Sequence, residues 1–184
     1  MKALRTDPSQ APLFYFKRDT HWRPEGSRFA AQMVADQLRQ SGMLRGLPAS
    51  GFQTSAIGEA SVKGDIAVAS QKNCSANLPG EAYTEFGTRA MNTGINSRTD
   101  GEIVLVGDSF SSDERFNFAG FLSQSVGLPI DNRASSSFRE FNSIETYLSS
   151  PQFRTDPPKI LIWQFQSALD LNVARLDLRQ LITA

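Results

Sequence analysis

Hydrophobic and polar positions along this chain fall into short blocks of differing period. Ile103, Val104, Leu105 and Val106 form an unbroken apolar run, bounded by Asp100-Gly101 before it and Gly107 after it. An apolar run without alternation predicts a strand covered on both faces, here the centre of a sheet. Residues 159–165 (KILIWQF), introduced by Pro157-Pro158, have the same character, and a shorter strand is predicted over residues 128–132. Residues 13–16 (LFYF) and 65–69 (DIAVA) read as two further strands. Helical spacing governs other blocks. Phe29, Met33, Val34 and Leu38 follow Pro24, which fits a first helical position, and precede Gly42, a stop. Phe116, Phe118, Phe121, Leu122, Ser125 and Val126 predict a second helix, ended by Gly127-Leu128-Pro129. Phe138, Phe141, Ile144, Tyr147 and Leu148 predict a third that ends before Pro151, and residues 169–182 a terminal one. Between residues 47 and 101 only DIAVA looks regular; the rest is rich in Gly, Ser, Asn, Thr and Pro. Such a stretch reads as an insertion, a substrate-covering loop or a partly mobile segment. Tyr83 and Phe86 within it would suit sugar contacts, although packing alone explains such residues.

From residue 103 onward the predicted order is strand, helix, strand, helix, strand. Right-handed crossovers then give a mainly parallel sheet with helices on its faces. Open sheets of this kind hold their ligands beyond the carboxyl ends of the strands. Gly107-Asp108-Ser109-Phe110 follows the central strand as a sharp turn with a serine at its apex. The turns after Val106, Ile130 and Ile162 should open on the same edge, which would bring Ser109, Asn132 and Gln164 onto one rim. Asp108 is expected to shape the turn through backbone hydrogen bonds. A serine hydroxyl is a weak nucleophile without a base, and His21 is the only histidine. His21 lies in Asp19-Thr20-His21-Trp22, at the lip between a predicted strand and a predicted helix. A loop held at both ends can fix side chains without burying them.

Composition narrows the classes. The chain has 184 residues, 40% of them hydrophobic, and zero formal net charge, which suits a single domain over residues 1–184. Balanced charge without Lys/Arg runs gives no reason to expect nucleic acid or an acidic membrane as partner. No apolar run approaches the roughly 18 residues of a membrane span. Residues 1–10 lack the apolar core of a signal peptide, so the chain reads as soluble and untargeted. Cys74 is the single cysteine, which excludes an intrachain disulfide and a Cys-rich metal site; it reads as a half-buried or unreactive thiol.

GDSF after a buried strand, combined with DTHW earlier in the chain, resembles the SGNH hydrolase superfamily. Within it the likeness is to the alginate O-acetyltransferase group of the AlgX and AlgJ type, in which Asp-x-His precedes the serine. FYFKRDTHWRPEG at residues 14–26, NFAG at 117–120 and FR…PPKILIWQF at 153–165 carry the likeness across nearly the whole chain. The resemblance implies a three-layer α/β/α fold with a mainly parallel sheet in this permuted order. It implies an acetyl group moved to hydroxyls of an exopolysaccharide, alginate or similar, through an acetyl-enzyme. Ser109 would be the nucleophile, His21 the base and Asp19 its orienting partner, with Asn132 and Gln164 in the oxyanion and substrate-binding blocks. No cofactor or metal is called for. The expected partners are an acetyl donor, a polysaccharide acceptor and an exopolysaccharide biosynthesis complex, and the expected location is the periplasm. A carbohydrate acetylesterase and a noncatalytic polysaccharide-binding assembly component are the alternatives. Three departures stand out. Trp163 is followed by Gln164, Phe165, Gln166, Ser167 and Ala168 where some members read WExPERY, and residues 134–137 lack the glycine of the superfamily's second block. Family proteins also extend further on both sides, so the chain is expected to be a fragment or a minimal version.

Overall fold

A computed structural model describes residues 14–47, 49, 51–91, 102–136 and 141–167. Its central strand, β3 (Ile103–Val106), is wholly buried. It pairs in parallel with β4 (Asp131–Asn132) on one side and with β5 (Ile160–Trp163) on the other, giving the order β4-β3-β5. Alternation along β3 divides the core in two. Ile103 and Leu105 face a cluster with Phe116, Phe121, Leu122 and Val126, whereas Val104 and Val106 face Phe141, Ile144, Tyr147 and Leu148. Each such side chain contributes roughly 1.5–3 kcal/mol when fully buried. Both faces of β3 are therefore spoken for, which is why its sequence shows no polar position.

Helices supply the two outer layers. On the first face lie α1 (Pro24–Gln40) and α4 (Phe118–Val126). Pro24 takes the first turn of α1, and Gly42 adopts the left-handed conformation just past its end. Gly127 ends α4 in that same conformation, at φ 76°. On the second face lie α5 (Asn142–Leu148) and α6 (Pro151–Thr155), where Phe153 packs against the same cluster, its ring centroid 5.6 Å from that of Tyr147. The expected α/β/α layering and parallel sheet are thus present. The strand expected over residues 128–132 shortens to two residues, and Phe138 and the terminal helix at 169–182 lie outside the described residues.

Residues 47–101 depart from expectation. They contain β1 (Phe52–Val62) and β2 (Glu81–Ala90), paired antiparallel from Phe52↔Ala90 to Val62↔Glu81. The two strands form a ribbon separate from the parallel sheet. Much of β1 is exposed, so its Thr, Ser, Ala, Gly and Glu carry little hydrophobic alternation, and the pairing rests on backbone bonds and cross-strand pairs. Thr54 and Thr88 make one of these, hydroxyl to hydroxyl at 2.6 Å. Between the strands, DIAVA is helical, not extended: it opens α2 (Asp65–Cys74). Only Ala67 is buried there, while Ile66 and Val68 face outward, so the run offers no strand face to a sheet. An acidic residue in the first turn and Ala, Gln and Lys beyond it favour the helix. Cys74, at its end, is exposed rather than half-buried. The strand expected over residues 13–16 reduces to a bridge between Tyr15 and Trp22, with Leu13 outside the described residues.

Candidate active site

The Tyr15–Trp22 bridge turns the chain back on itself, with Arg23 N–H donating to Phe14 O at 2.9 Å. Asp19, Thr20 and His21 occupy the tip of that turn. Its base is held by the ribbon. The Glu81 carboxylate accepts from the N–H groups of Lys17 (3.0 Å) and Arg18 (2.7 Å), and the Arg18 and Arg23 guanidinium groups donate to Pro79 O and Ala82 O. Gly26 permits the close approach, because a Cβ there would stand 2.1 Å from Phe14 O.

Across the rim, β3 ends at Val106, and after Gly107 and Asp108 the chain enters the short helix α3 (Ser109–Ser112). Asp108 caps that helix by accepting from Phe110 N–H at 2.9 Å, the turn-shaping role its position predicts. Gly107 donates its buried N–H to Ser143 Oγ at 2.9 Å. Its Cα face lies so close to Gln164 that a Cβ would come within 2.7 Å of Oε1. Ser109 is the first residue of α3, where helix geometry leaves its N–H without an intrahelical acceptor.

The two rims meet at His21. Its Nε2 lies 2.8 Å from Ser109 Oγ, and its Nδ1 lies 2.5 Å from Asp19 Oδ1. Asp19 is buried, and its Oδ1 also accepts the His21 backbone N–H at 2.9 Å. The imidazole is stacked on Phe116, centroids 5.3 Å apart, and tilted against Phe110 at 4.8 Å. Hydrogen bonds at both nitrogens and rings at its sides leave it one orientation. Residues 88 positions apart are thereby joined in a Ser-His-Asp chain, the arrangement that lets a hydroxyl lose its proton as it attacks a carbonyl.

Asn132 and Gln164 reach the same edge, as expected, but both converge on Ser111 and neither bonds to the Ser109 hydroxyl. Asn132 Nδ2 donates to Ser111 O at 2.8 Å, and its Oδ1 accepts from Ala134 N–H at 3.1 Å. Gln164 Oε1 accepts from Ser111 Oγ at 2.9 Å and from Asp108 N–H at 3.2 Å. In this geometry they brace the serine turn.

Sequence reasoning missed the second support of the Asp/His tip, which comes from α2. Asp65 N–H, at the positive end of that helix, donates to Asp19 Oδ2 at 3.3 Å, favouring the ionised carboxylate. The Asp65 carboxylate in turn accepts from Thr20 N–H at 2.9 Å and from the Thr20 hydroxyl. Burial alone would raise the Asp65 carboxyl, but these bonds and one from Ile66 N–H hold it below its ordinary value. Gly64 admits the contact: a Cβ there would lie 2.2 Å from Arg18 O and 2.5 Å from Asp19 Cβ. Nothing local in the sequence links positions so far apart. Asp19, His21 and Asp65 also bring one potential metal-ligand atom each within 4.8 Å of one another, although here those groups bond to the tip itself.

Beside the nucleophile, Asp113 binds Arg115, whose Nε lies 2.9 and 3.0 Å from the two carboxylate oxygens. Burial would raise the Asp113 carboxyl; the Arg115 side chain and N–H overcome that and lower it. The same bonds raise the Arg115 guanidinium. Tyr83 is buried, not free for ligand contact, and burial with nearby Glu85 raises its hydroxyl. Phe86 is half-buried and lines an open cleft next to α3.

Comparison with known proteins bears on the fold and the family. Residues 1–167 match the family described as the SGNH hydrolase-like domain of acetyltransferase AlgX. The alginate biosynthesis protein AlgX of Pseudomonas aeruginosa is 32% identical over 170 residues, covering 90% of this chain and 36% of that protein. A probable alginate O-acetylase AlgJ of Pseudomonas syringae pv. tomato is 29% identical over 88% of the chain and 43% of its own length. The chain thus spans about a third of the AlgX relatives it matches. Among solved structures, Pseudomonas aeruginosa AlgX superposes with a TM-score of 0.78 at 33% identity, over 92% of this chain and 39% of that one. The O-acetyltransferase domain of Pseudomonas putida AlgJ gives 0.76 at 24% identity, over 95% and 63%, a likeness of fold. With an SGNH hydrolase-like fold and a family match over nearly its full length, the chain belongs to the AlgX family of SGNH hydrolase-like acetyltransferase domains.

Proposed function

We propose that this chain is an O-acetyltransferase domain that moves an acetyl group onto hydroxyls of an exopolysaccharide, through an acetyl group held on Ser109. One observation carries the reading: the 2.8 Å approach of His21 Nε2 to Ser109 Oγ, with Nδ1 on buried Asp19. In the first half-reaction Ser109 Oγ attacks the donor's acetyl carbonyl while its proton passes to His21 Nε2. Asp19 keeps the imidazole in the tautomer with the proton on Nδ1 and stabilises the imidazolium. The tetrahedral oxyanion receives the Ser109 N–H, and the second Nδ2 hydrogen of Asn132, whose first is held by Ser111 O, is the further donor in this scheme; each such donor lowers the barrier by about 2.7–4 kcal/mol. Collapse expels the leaving group, which takes the proton from His21, and acetyl-Ser109 remains. A sugar hydroxyl then gives its proton to His21 as its oxygen attacks the acetyl carbon, and the proton returns to Ser109 when the ester is released. Gln164, whose amide oxygen is committed to the serine turn, acts as a brace in this scheme. Water in place of the sugar would make the chain an esterase.

Alginate is the polymer for which the relatives are named, and a periplasmic exopolysaccharide assembly is the setting we propose. The test is acetate release from an activated acetyl ester by the wild type, Ser109→Ala and His21→Ala, followed by mass detection of acetylated oligosaccharide. Loss of acetate release in both variants, with product mass increased by acetyl in the wild type, is expected. Equal rates in all three proteins would eliminate the enzyme and favour a noncatalytic polysaccharide-binding role, while acetate without acetylated sugar would mean an esterase.

A further inference from the structure

The Arg28 guanidinium is held in place yet left unpaired. It projects from α1, half-buried, with Cζ 4.4 Å over the Phe86 ring of the ribbon and 4.6 Å over the Phe121 ring of α4. Those two rings are themselves in contact, centroids 5.5 Å apart at 60°. The half-buried Arg18 and Arg23 donate to the carbonyls of Pro79 and Ala82, whereas the Arg28 guanidinium has no hydrogen bond or ion pair among the described residues. Stacking covers the face of a guanidinium and leaves its N–H groups, which lie in the plane, for a ligand. Contact with two rings also fixes the group before anything binds, so less side-chain freedom is lost on binding.

Its surroundings suit an anion. Arg28 lines an open basin of about 620 Å³ to which α1, α4 and Thr54 of the ribbon contribute. Arg39 and Asp36 in the same lining neutralise each other at 2.8 Å, and Arg39 also donates to Ser125 O, which leaves Arg28 as the uncompensated charge there among the described residues. Gln32 and Gln124, exposed on the two helices, offer amide groups to sugar hydroxyls. Phe86, on which Arg28 stacks, lines the cleft that Ser111, Ser112 and Asn132 border, so basin and cleft are one side-chain contact apart. Within that cleft Glu85, Asp113 and Glu114 meet only Arg115, already bonded to Asp113. An acidic acceptor thus finds its free cation in the basin rather than beside the nucleophile. We infer that the basin is a carboxylate-binding subsite for an acidic polysaccharide, in which Arg28 grips one uronate with paired N–H bonds while another sugar of the same chain occupies the cleft. The inference rests on the acetyl-transfer reading and names the residue that selects its acceptor.

Titration calorimetry with oligomannuronates and with manno-oligosaccharides of equal length, on the wild type and on Arg28→Gln, tests it. The variant should bind the uronate series at least about tenfold more weakly, with the neutral series unchanged. Raised salt should weaken uronate binding in the wild type and much less in the variant, because the charge that salt screens has gone. A uronate affinity untouched by the substitution would overturn the inference, and so would an equal loss for both series, since an arginine that only supports packing disturbs every ligand alike. A wild type that binds the two series equally would overturn it without recourse to the variant. Acetate release without acceptor, read on the same two proteins, should be the same in both, showing that the triad is intact. If that release is present and uronate binding does not depend on Arg28, the subsite alone falls; if release is absent from the wild type, the transfer reading falls first.

Discussion

Gly64→Ala probes how tightly the Asp/His tip is held from behind. Gly64 has φ −61° and ψ 162°, extended backbone that alanine adopts freely, so the effect is purely one of space. The new methyl would start 2.2 Å from Arg18 O and 2.5 Å from Asp19 Cβ, and ordinary contact begins near 3.4 Å. Relief therefore requires a relative movement of about 1 Å. Neither neighbour is loose: Arg18 N–H is held by Glu81 at 2.7 Å, and Asp19 is buried beneath His21. Overpacking of this kind costs about 1–3 kcal/mol. At roughly 2–4 °C per kcal/mol for a chain of this size, Tm should fall by about 2–12 °C. A misplacement near 1 Å in a catalytic array costs about 10²-fold in rate. Thermal unfolding and acetate release from an activated ester, measured below the variant's Tm, separate the two effects. A variant with wild-type kcat/KM and wild-type Tm would show that α2 does not set the position of Asp19, and the account of the tip would have to be abandoned.

Three further outcomes follow from the same geometry. Asp19→Asn should keep the fold yet lower kcat about 10⁴-fold, because the imidazole loses the partner that fixes its tautomer; acetate release within tenfold of wild type would argue against the triad. Ser143→Ala leaves the buried Gly107 N–H without its acceptor and should cost about 1–3 kcal/mol in urea unfolding, whereas an unchanged midpoint would mean that the bond contributes nothing net. Asp113 titrates below 3.8 in the folded chain, so its bonds to Arg115 contribute stability above about pH 4 that is lost as pH falls through its folded value. Asp113→Asn should therefore flatten the decline of the urea midpoint below pH 4, and an acid limb parallel to wild type would contradict the assignment.

What could be read without coordinates was whatever local pattern encodes. The unbroken run at Ile103–Val106 had to be a doubly covered strand, since no residue in it tolerates water, and the sharp turn after it had to present Ser109. Pro24, Gly42 and Gly127 marked helix ends because their backbone preferences act within a residue or two. The lone histidine made His21 the only possible imidazole base. The ribbon and α2 escaped notice for a physical reason. Their residues are mostly small and polar, their outward positions carry no periodic signal, and DIAVA has β-branched residues on a surface where packing decides nothing.

Distance relations belong to the tertiary structure alone. The sequence determined that a serine, a histidine and an aspartate were present on turns fit to display them. Only folding brought positions 88 apart to 2.8 Å, set Asp65 N–H on Asp19, and turned Gln164 toward Ser111. Such contacts depend on how layers pack and on where a few glycines let backbones touch, and neither is written in any one stretch of residues.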